Sequence, residues 1–191
     1  MKQIFVSFIV MIMVSMTAHA DEKGASKFAE ATANKAVSVL ASNSSDSVKV
    51  TELEGLFTNS VDTNWIGRFV LGKHWKSLDE AAQKEYLSAY RGFLVKHYTA
   101  NFKEYSEGTK FEITRSNKLK KNQYRVSMNI NRPNSSQAVK VDYRIRQKNS
   151  KYSIIDIVVE GVSLLNTQRS EFSSVIQRNG VDHLIEKLKT K

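Results

Sequence analysis

The chain of 191 residues contains no cysteine and a single proline. Without cysteine there is no disulfide and no thiolate metal ligand, so a hydrophobic core must hold the fold together. A single proline argues against a long disordered linker. A chain of this length is sufficient for one compact domain. Its hydrophobic content of 41% is sufficient for that domain to have its own core.

Long apolar runs are also absent, except at the N-terminus in residues 4–16. Lys2 precedes this run and Ala18-His19-Ala20 follows it as a cleavage site, which is the pattern of a secretory signal peptide. The run of about 13 residues is shorter than the roughly 20 that cross a bilayer as a permanent helix. We therefore predict a signal peptide at residues 1–20, cleaved after Ala20, and a single exported domain at residues 21–191. An exported chain without cysteine suits a bacterial periplasm.

Acidic residues are outnumbered, because the chain carries 29 Lys and Arg against 19 Asp and Glu. Removing the predicted signal peptide, which holds one lysine and no acid, leaves a net charge of +9. Export excludes nucleic acid as a partner. The remaining explanations for the charge are anionic lipid surfaces, acidic partner proteins, or solubility alone.

Helical periodicity occurs on both sides of a central strand-rich region. A first helix is predicted at residues 21–40, and capping boxes at Thr51 and Ser77 predict the starts of a second short helix and of a long helix over 78–105. Between them, residues 62–71 form a short helix with a strongly aromatic face. After the strands, Ser163 is a predicted N-cap, and Asn179-Gly180 separates this helix from a final one at 182–189.

Between the helical segments the apolar residues alternate, as they do in strands. The predicted strands begin near Phe111 and cover 124–130, 139–146 and 152–160, with short connections that favour antiparallel neighbours. The fold class predicted is α+β, a four-stranded antiparallel sheet covered on one face by several helices, with an apolar cavity between them. The other sheet face, which carries Lys140, Arg144 and Arg146, is expected to meet water.

No residue constellation predicts catalysis or a metal site. His74, His97 and His183 share no metal-ligand spacing. Asp156 and Glu160 lie four residues apart on one strand, and so roughly 13 Å apart, which is too far for a pair of hydrolytic carboxylates. A structural role at the corner between sheet and helix is the favoured interpretation for both. We therefore predict a protein that is not an enzyme and has no cofactor.

Residues 156–172, DIVVEGVSLLNTQRSEF, have a distinctive order of strand, Glu-Gly turn and helix. Together with Phe69-Val70-Leu71-Gly72 before Trp75, and Asn179-Gly180-Val181-Asp182 near the C-terminus, they resemble the MlaC family, also known as the toluene-tolerance family. The resemblance covers essentially the whole mature chain. Tyr152 stands where the family pattern often carries tryptophan, which affects the fine shape of any pocket.

The resemblance implies a monomeric periplasmic carrier that shuttles phospholipid between the outer and inner membranes without chemical change. Its partners would be an outer-membrane lipoprotein–porin complex and an inner-membrane transporter with an MCE-domain ring and an ABC ATPase. The acyl chains would lie between sheet and helices, with the headgroup largely at the surface. Two alternatives stay open: an enzyme that uses a similar cavity on an apolar substrate, and a periplasmic adaptor with a solid core.

The predicted pocket lining combines inward residues of the sheet with aromatic residues of the helices. Parity selects the residues of the second and third strands, but both faces of the fourth strand are apolar, so its two residues are a guess. The predicted lining is Trp65, Phe69, Tyr90, Phe93, Val126, Met128, Val141, Tyr143, Ile155 and Ile157. The predicted docking residues are Lys118, Lys120, Lys121, Lys140, Arg144 and Arg146.

Overall fold

The computed structural model describes residues 17–99, 108–133 and 135–190. The predicted signal-peptide run at 4–16 and the predicted end of the long helix at 100–105 lie outside these residues. The helices are α1 (Thr17–Ala41), α2 (Asp46–Ser60), α3 (Thr63–Leu71), α4 (Glu80–Thr99) and α5 (Leu164–Thr190), with a 3₁₀ helix at Gly72–Ser77. The strands are β1 (Lys110–Lys120), β2 (Gln123–Asn131), β3 (Val139–Lys148), β4 (Lys151–Val159) and β5 (Val162–Ser163).

The strands form one antiparallel sheet in the order β1-β2-β3-β4-β5. This arrangement confirms the predicted α+β class and the four predicted strands. The fifth strand, β5, was not predicted, because two residues are too few to show an alternating pattern. It pairs Val162 with Val159 directly after the Glu160-Gly161 turn, where Gly161 adopts a φ of 83° that suits glycine.

A β-bulge interrupts the pairing of β3 with β4. Arg144 faces Asp156, but the next residue of β3, Ile145, faces Ile154, so Ile155 is the extra residue. The bulge changes the alternation of side chains along β4. It therefore separates Ile155 from Ile157, which simple parity would have placed on the same face.

Acidic or hydroxyl side chains cap three of the helices. The Asp62 carboxylate accepts the Trp65 amide at the start of α3 at 3.0 Å, and the Ser163 hydroxyl accepts the Asn166 amide at the start of α5 at 3.1 Å. At α4 the cap is Asp79, which accepts the Ala82 amide at 2.8 Å, rather than the predicted Ser77. The predicted start of α2 at Thr51 is also wrong, because the helix begins at Asp46 and the Thr51 hydroxyl donates to the Ser47 carbonyl inside it.

Most of the buried apolar residues that the structure describes fall into two clusters. We call the first, built from α3, α4 and α5, the helix core; its buried residues are Ile66, Val70, Leu71, Tyr86, Tyr90, Leu94, Leu165, Phe172, Ile176, Leu184, Ile185 and Leu188. The second joins α1 to the sheet through Ala25, Ala29, Tyr124, Val126, Met128, Val141, Ile145 and Ile154. In the part of the chain that the structure describes, no helix is both long and apolar enough to span a membrane.

Candidate functional site

A cavity of about 320 Å³ lies between α1, α2 and the sheet, and we call it the sheet cavity. Its sheet wall consists of Phe111, Met128, Ile130, Val141, Tyr143, Ile154, Ile157 and Val159. Its helix wall is formed mainly by Thr32, Ala33, Ala36, Val37 and Leu40 of α1 and by Leu53, Leu56, Phe57 and Ser60 of α2. The remaining lining residues are Val61, Thr109 and Leu164.

Small residues bring the N-terminal half of α1 close to the sheet. At Gly24, a Cβ atom would lie 2.2 Å from the Tyr152 hydroxyl oxygen, so only glycine fits against this tyrosine. Ala25, the next residue, and Ala29, one turn after Ala25, are both fully buried. From Thr32 onward, the residues of α1 line the sheet cavity. Short side chains above the sheet leave the volume between them unfilled.

The sheet cavity is apolar along most of its wall. Its lining contains no Asp, Glu, His, Lys or Arg among the described residues. The polar side chains of its lining carry hydroxyl groups only. The Thr32 hydroxyl donates to the Phe28 carbonyl at 2.8 Å. A wall of this composition favours hydrocarbon over a charged ligand, since a charge placed there would lose its hydration without gaining a partner.

A much smaller pocket of about 40 Å³ continues from the sheet cavity toward the helix core. The two share Phe57, Val61, Ile154, Ile157 and Leu164, which separate the small space from the large one. On the far side of this partition, Tyr90 and Leu94 of α4 line the small pocket together with Ile155. The helix core is therefore nearly filled, whereas the sheet cavity is open.

The structure brings together part of the predicted pocket lining. Met128, Val141, Tyr143 and Ile157 line the sheet cavity. Val126 is buried in the apolar cluster that joins α1 to the sheet, but it does not line the cavity. Ile155 borders the small pocket instead, because the bulge in β4 turns it away from Ile157.

The predicted helix residues lie elsewhere. Trp65, Phe69, Tyr90 and Phe93 pack in or against the helix core, and of these only Tyr90 borders the small pocket. The physical reason is that α3, α4 and α5 bury their aromatic faces against one another. The Tyr90 ring stacks on Tyr86 at 5.6 Å and meets the Phe172 ring edge-on at 5.8 Å.

Sequence reasoning missed the helix wall formed by α1 and α2. The available signal was the spacing of Ala25, Ala29, Ala33 and Ala36, which recur at three and four residues and so share one face of a helix. Alanine contributes little to a hydrophobic pattern, whereas the aromatic stripes of α3 and α4 dominate it.

Two of the predicted docking residues are engaged inside the molecule. Arg146, whose side chain is 21% exposed, forms an ion pair with Asp62, and Arg144 lies 3.5 Å from the Asp156 carboxylate. The expectation that this sheet face simply meets water is therefore wrong at Arg146, because the start of α3 covers it. Lys118, Lys120, Lys121 and Lys140 lie in exposed positions.

The two acidic residues of the sheet-to-helix corner have structural roles, as predicted. The Asp156 side chain is 1% exposed and accepts hydrogen bonds from the Leu165 amide at 3.1 Å and the Ser163 hydroxyl at 2.7 Å. Glu160 accepts the Lys140 amide at 2.6 Å. Among residues 17–99, 108–133 and 135–190, no group of three His, Cys, Asp or Glu side chains is placed to hold a metal ion.

An antiparallel sheet with an uncharged cavity beneath two of its helices defines an α+β binding protein for an apolar ligand. The family model described as MlaC protein matches residues 30–190, so the chain belongs to the MlaC family, as the sequence resemblance predicted.

The known proteins that are similar to the chain include the following two. One is the intermembrane phospholipid transport system binding protein MlaC of Haemophilus influenzae, 23% identical over 131 residues, which are 67% of this chain and 61% of that protein. The chain thus spans about three fifths of the length of that relative. The other is the structure of a phospholipid-binding protein from Ralstonia solanacearum in complex with a phospholipid. It has a TM-score of 0.74 at 16% identity and covers 87% of this chain and 95% of its own, which shows the same fold.

Proposed function

We propose that this protein is a phospholipid carrier that holds acyl chains in the sheet cavity and shuttles lipid between the outer and inner membranes of a Gram-negative periplasm. The single observation that carries the proposal is the uncharged apolar cavity between α1, α2 and the sheet. The names of the two similar proteins, a phospholipid transport binding protein and a phospholipid-binding protein, support the choice of ligand.

Shielding of hydrocarbon is the physical task of such a carrier. Two acyl chains of about 30 methylenes would cost on the order of 25 kcal/mol to expose to water, at about 0.8 kcal/mol each. An apolar cavity removes most of that cost during transit. Because a bilayer offers the same shelter, the difference in free energy between bound and membrane lipid is small, and transfer can proceed without chemical change.

The lining favours a carrier over the two alternatives. A cavity of about 320 Å³ distinguishes the protein from an adaptor with a solid core. Acid-base chemistry would need a positioned titratable group, and the described lining offers a tyrosine, Tyr143, but no carboxylate or imidazole. We therefore propose a non-enzymatic function, with phospholipid as cargo rather than cofactor.

Native purification followed by lipid extraction and mass spectrometry tests the proposal. The parent protein should yield phospholipid of unaltered structure. Ala36→Trp, which places a large ring in the cavity wall, should reduce bound lipid severalfold, whereas Ala31→Trp on the exposed side of the same helix should not. Parent protein without lipid, or equal lipid in both variants, would contradict the carrier function.

We also propose that residues 1–20 are a signal peptide and that the mature chain begins at Asp21. The Asp21 carbonyl accepts the Tyr152 hydroxyl at 3.2 Å, so the proposed new terminus would be attached to the sheet. Intact-mass analysis of periplasmic protein should give the mass of residues 21–191. Retention of residues 1–20 on most molecules would exclude this cleavage site.

Docking to the membrane complexes at both ends of the route is a further part of the proposal. One of two basic surfaces, the turn of Lys118, Lys120 and Lys121 or the strand face of Lys140, Arg144 and Arg146, would contact anionic headgroups or acidic surfaces of an outer-membrane lipoprotein–porin complex or an inner-membrane MCE-domain transporter. Such contacts weaken with salt, since the Debye length falls from about 10 Å at 0.1 M to about 3 Å at 1 M. Charge reversal at Lys120 and Lys121 should therefore reduce binding at low salt and change little at high salt.

A further inference from the structure

Three arginine side chains lie over three aromatic rings that pack against the helix core. The guanidinium carbon lies 5.2 Å from the ring centroid in the Arg146–Trp65 pair, 4.7 Å in the Arg169–Phe69 pair and 5.1 Å in the Arg68–Trp75 pair. All three distances are within the range of cation–π attraction. We call these six residues the arginine–aromatic patch; they come from β3, α3, the 3₁₀ helix and α5.

The patch is held in place by its packing. The rings of Trp65 and Phe69 stack at 5.3 Å, and both pack against the helix core. Gly72, with a φ of 60°, lies directly beside Arg169, whose Nη2 atom is 3.2 Å from where a Cβ on Gly72 would lie. Since the rings are fixed and the guanidinium groups rest on them, a ligand would order few new rotamers on binding.

Two of the three arginines have no acidic partner among the residues that the structure describes. Asp62 neutralises Arg146. Arg68 and Arg169 are exposed, and within the described ranges neither has a carboxylate oxygen within 4.0 Å. Residues 63–78 add further positive charge, since they contain Lys73 and Lys76 and no Asp or Glu. The patch therefore combines guanidinium groups held over aromatic rings with a positive charge that the described acidic residues do not neutralise.

We propose that the arginine–aromatic patch is a docking surface for an acidic segment of a protein partner. A guanidinium group is planar and presents its N–H groups in one plane, which matches the two oxygens of an Asp or Glu side chain. Arginine and tryptophan are also the residues that most often dominate the energy of protein interfaces.

The composition favours a protein over a membrane surface. Insertion into a bilayer requires protruding apolar side chains. The large hydrophobic residues that are exposed in the described part of the chain are Val48, Leu119 and Val162, and none of them belongs to the patch. The rings that do belong to it lie beneath guanidinium groups.

This docking surface is separate from the sheet cavity and does not depend on the proposed lipid transport. The patch also differs from the two basic surfaces of the docking proposal, with which it shares only Arg146. Measuring bound phospholipid in every variant keeps the two proposals distinguishable, because loss of docking with normal lipid content concerns the patch alone.

Tryptophan fluorescence offers a local test, because both tryptophans of the chain, Trp65 and Trp75, belong to the patch. The full protein would be titrated with a synthetic peptide rich in Asp and Glu that contains no tryptophan. We expect a saturable change in emission at low salt. Arg68→Gln combined with Arg169→Gln should weaken the apparent affinity about tenfold, with folding and lipid content unchanged.

A matched control removes two arginine charges elsewhere. Arg115 and Arg132 are exposed on the β1–β2 side of the sheet, and their double replacement by glutamine should change affinity by less than about twofold. Equal weakening by both double variants would overturn the proposal, since it would show a response to net charge only.

Two further measurements address the chemistry of the patch. Arg68→Lys with Arg169→Lys keeps the charge but removes the planar fork, and should recover only part of the lost affinity. Full recovery would contradict bidentate binding. If the glutamine double variant instead lowered binding to phosphatidylglycerol vesicles and left peptide binding intact, the occupant would be a membrane and the proposal would be wrong.

Discussion

The helix core and the sheet cavity contain the same kinds of apolar residue, but one is filled and the other is not. In the helix core, large rings from two helices interdigitate, as Tyr86, Tyr90 and Phe172 do, and the adjoining space is about 40 Å³. Beside the sheet, α1 contributes alanines and short aliphatic side chains, and about 320 Å³ stays open. The comparison shows that side-chain size on the facing helix, rather than hydrophobicity, decides whether a cavity forms.

The energetic difference is large enough to matter for the whole protein. Buried empty cavities cost about 24 cal/mol per Å³, so a cavity of 320 Å³ would cost on the order of 8 kcal/mol if it were dry and closed. Domains of this size are stable by only about 5–15 kcal/mol. An apolar ligand that fills the sheet cavity would remove such a cost and so stabilise the fold.

The largest expected effect is truncation of a ring in the helix core. Phe172 is 6% exposed and contacts the rings of Tyr90 and Phe93. Phe172→Ala should lower the free energy of unfolding by about 3–5 kcal/mol, because the surrounding rings cannot close the cavity that it leaves. Urea denaturation followed by circular dichroism measures this loss.

The matching truncation in the sheet cavity is Leu56→Ala. Leu56 is half-buried and borders space that is already open, so we expect a loss of less than about 1.5 kcal/mol. Equal losses in the two variants would show that the two regions are packed alike.

A smaller effect is expected from overpacking, and it has opposite consequences in the two regions. Val70 in the helix core is 2% exposed and Val141 in the cavity wall is 5% exposed. Val70→Trp should cost about 1–3 kcal/mol, as is typical where no space is available. Val141→Trp should be tolerated within about 1 kcal/mol and should displace bound lipid. Thermal unfolding and lipid content measured on both variants decide the question, and a strongly destabilised Val141→Trp protein that never held lipid would indicate a solid core.

Sequence periodicity predicted the sheet well, because alternation in Val139–Lys148 and its neighbours reports directly which face is buried. Capping chemistry likewise predicted the start of α5 at Ser163. The choice of helices beneath the sheet could not be predicted in the same way. An aromatic stripe such as that of α4 indicates burial, but it does not indicate which neighbouring element covers it. The bulge at Ile155 could not be predicted either, because both faces of β4 are apolar and the sequence pattern does not change there.

Substitutions at the junction between the two regions are expected to lower the free energy of unfolding by a smaller amount still. Asp156 joins β4 to the start of α5 by accepting the Leu165 amide at 3.1 Å. Asp156→Ala should lower the free energy of unfolding by about 0.5–2 kcal/mol, which is the usual cost of losing a side-chain acceptor at a helix start. Ser163→Ala, which removes the donor to Asp156 and the cap to Asn166, is the companion variant. Hydrogen exchange should show faster exchange in the first turn of α5 in both, and unchanged exchange there would contradict the role of the junction.

The smallest effect concerns the buried tyrosines at high pH. Burial raises the pKa of Tyr86 above its ordinary value of 10, and its hydroxyl donates to the Gly67 carbonyl at 3.0 Å. On the sheet side, burial and the neighbouring Asp21 carboxylate raise the pKa of Tyr124 to about 12. Because the folded pKa values lie above the unfolded one, the stabilising contribution is fully present below pH 10 and is lost as the pH rises above it.

The sign of this effect can be tested in each region separately. At pH 10.5 each tyrosine should account for a loss of less than about 1 kcal/mol relative to pH 8, because the unfolded chain ionises and the folded protein does not. Tyr86→Phe and Tyr124→Phe remove one titrating group each, from the helix core and from the sheet. Their stability should therefore fall less steeply between pH 8 and 10.5 than that of the parent, whatever their stability at neutral pH. An unchanged slope in the Tyr86 variant would mean that water reaches this ring, and that the helix core is less closed than its packing indicates.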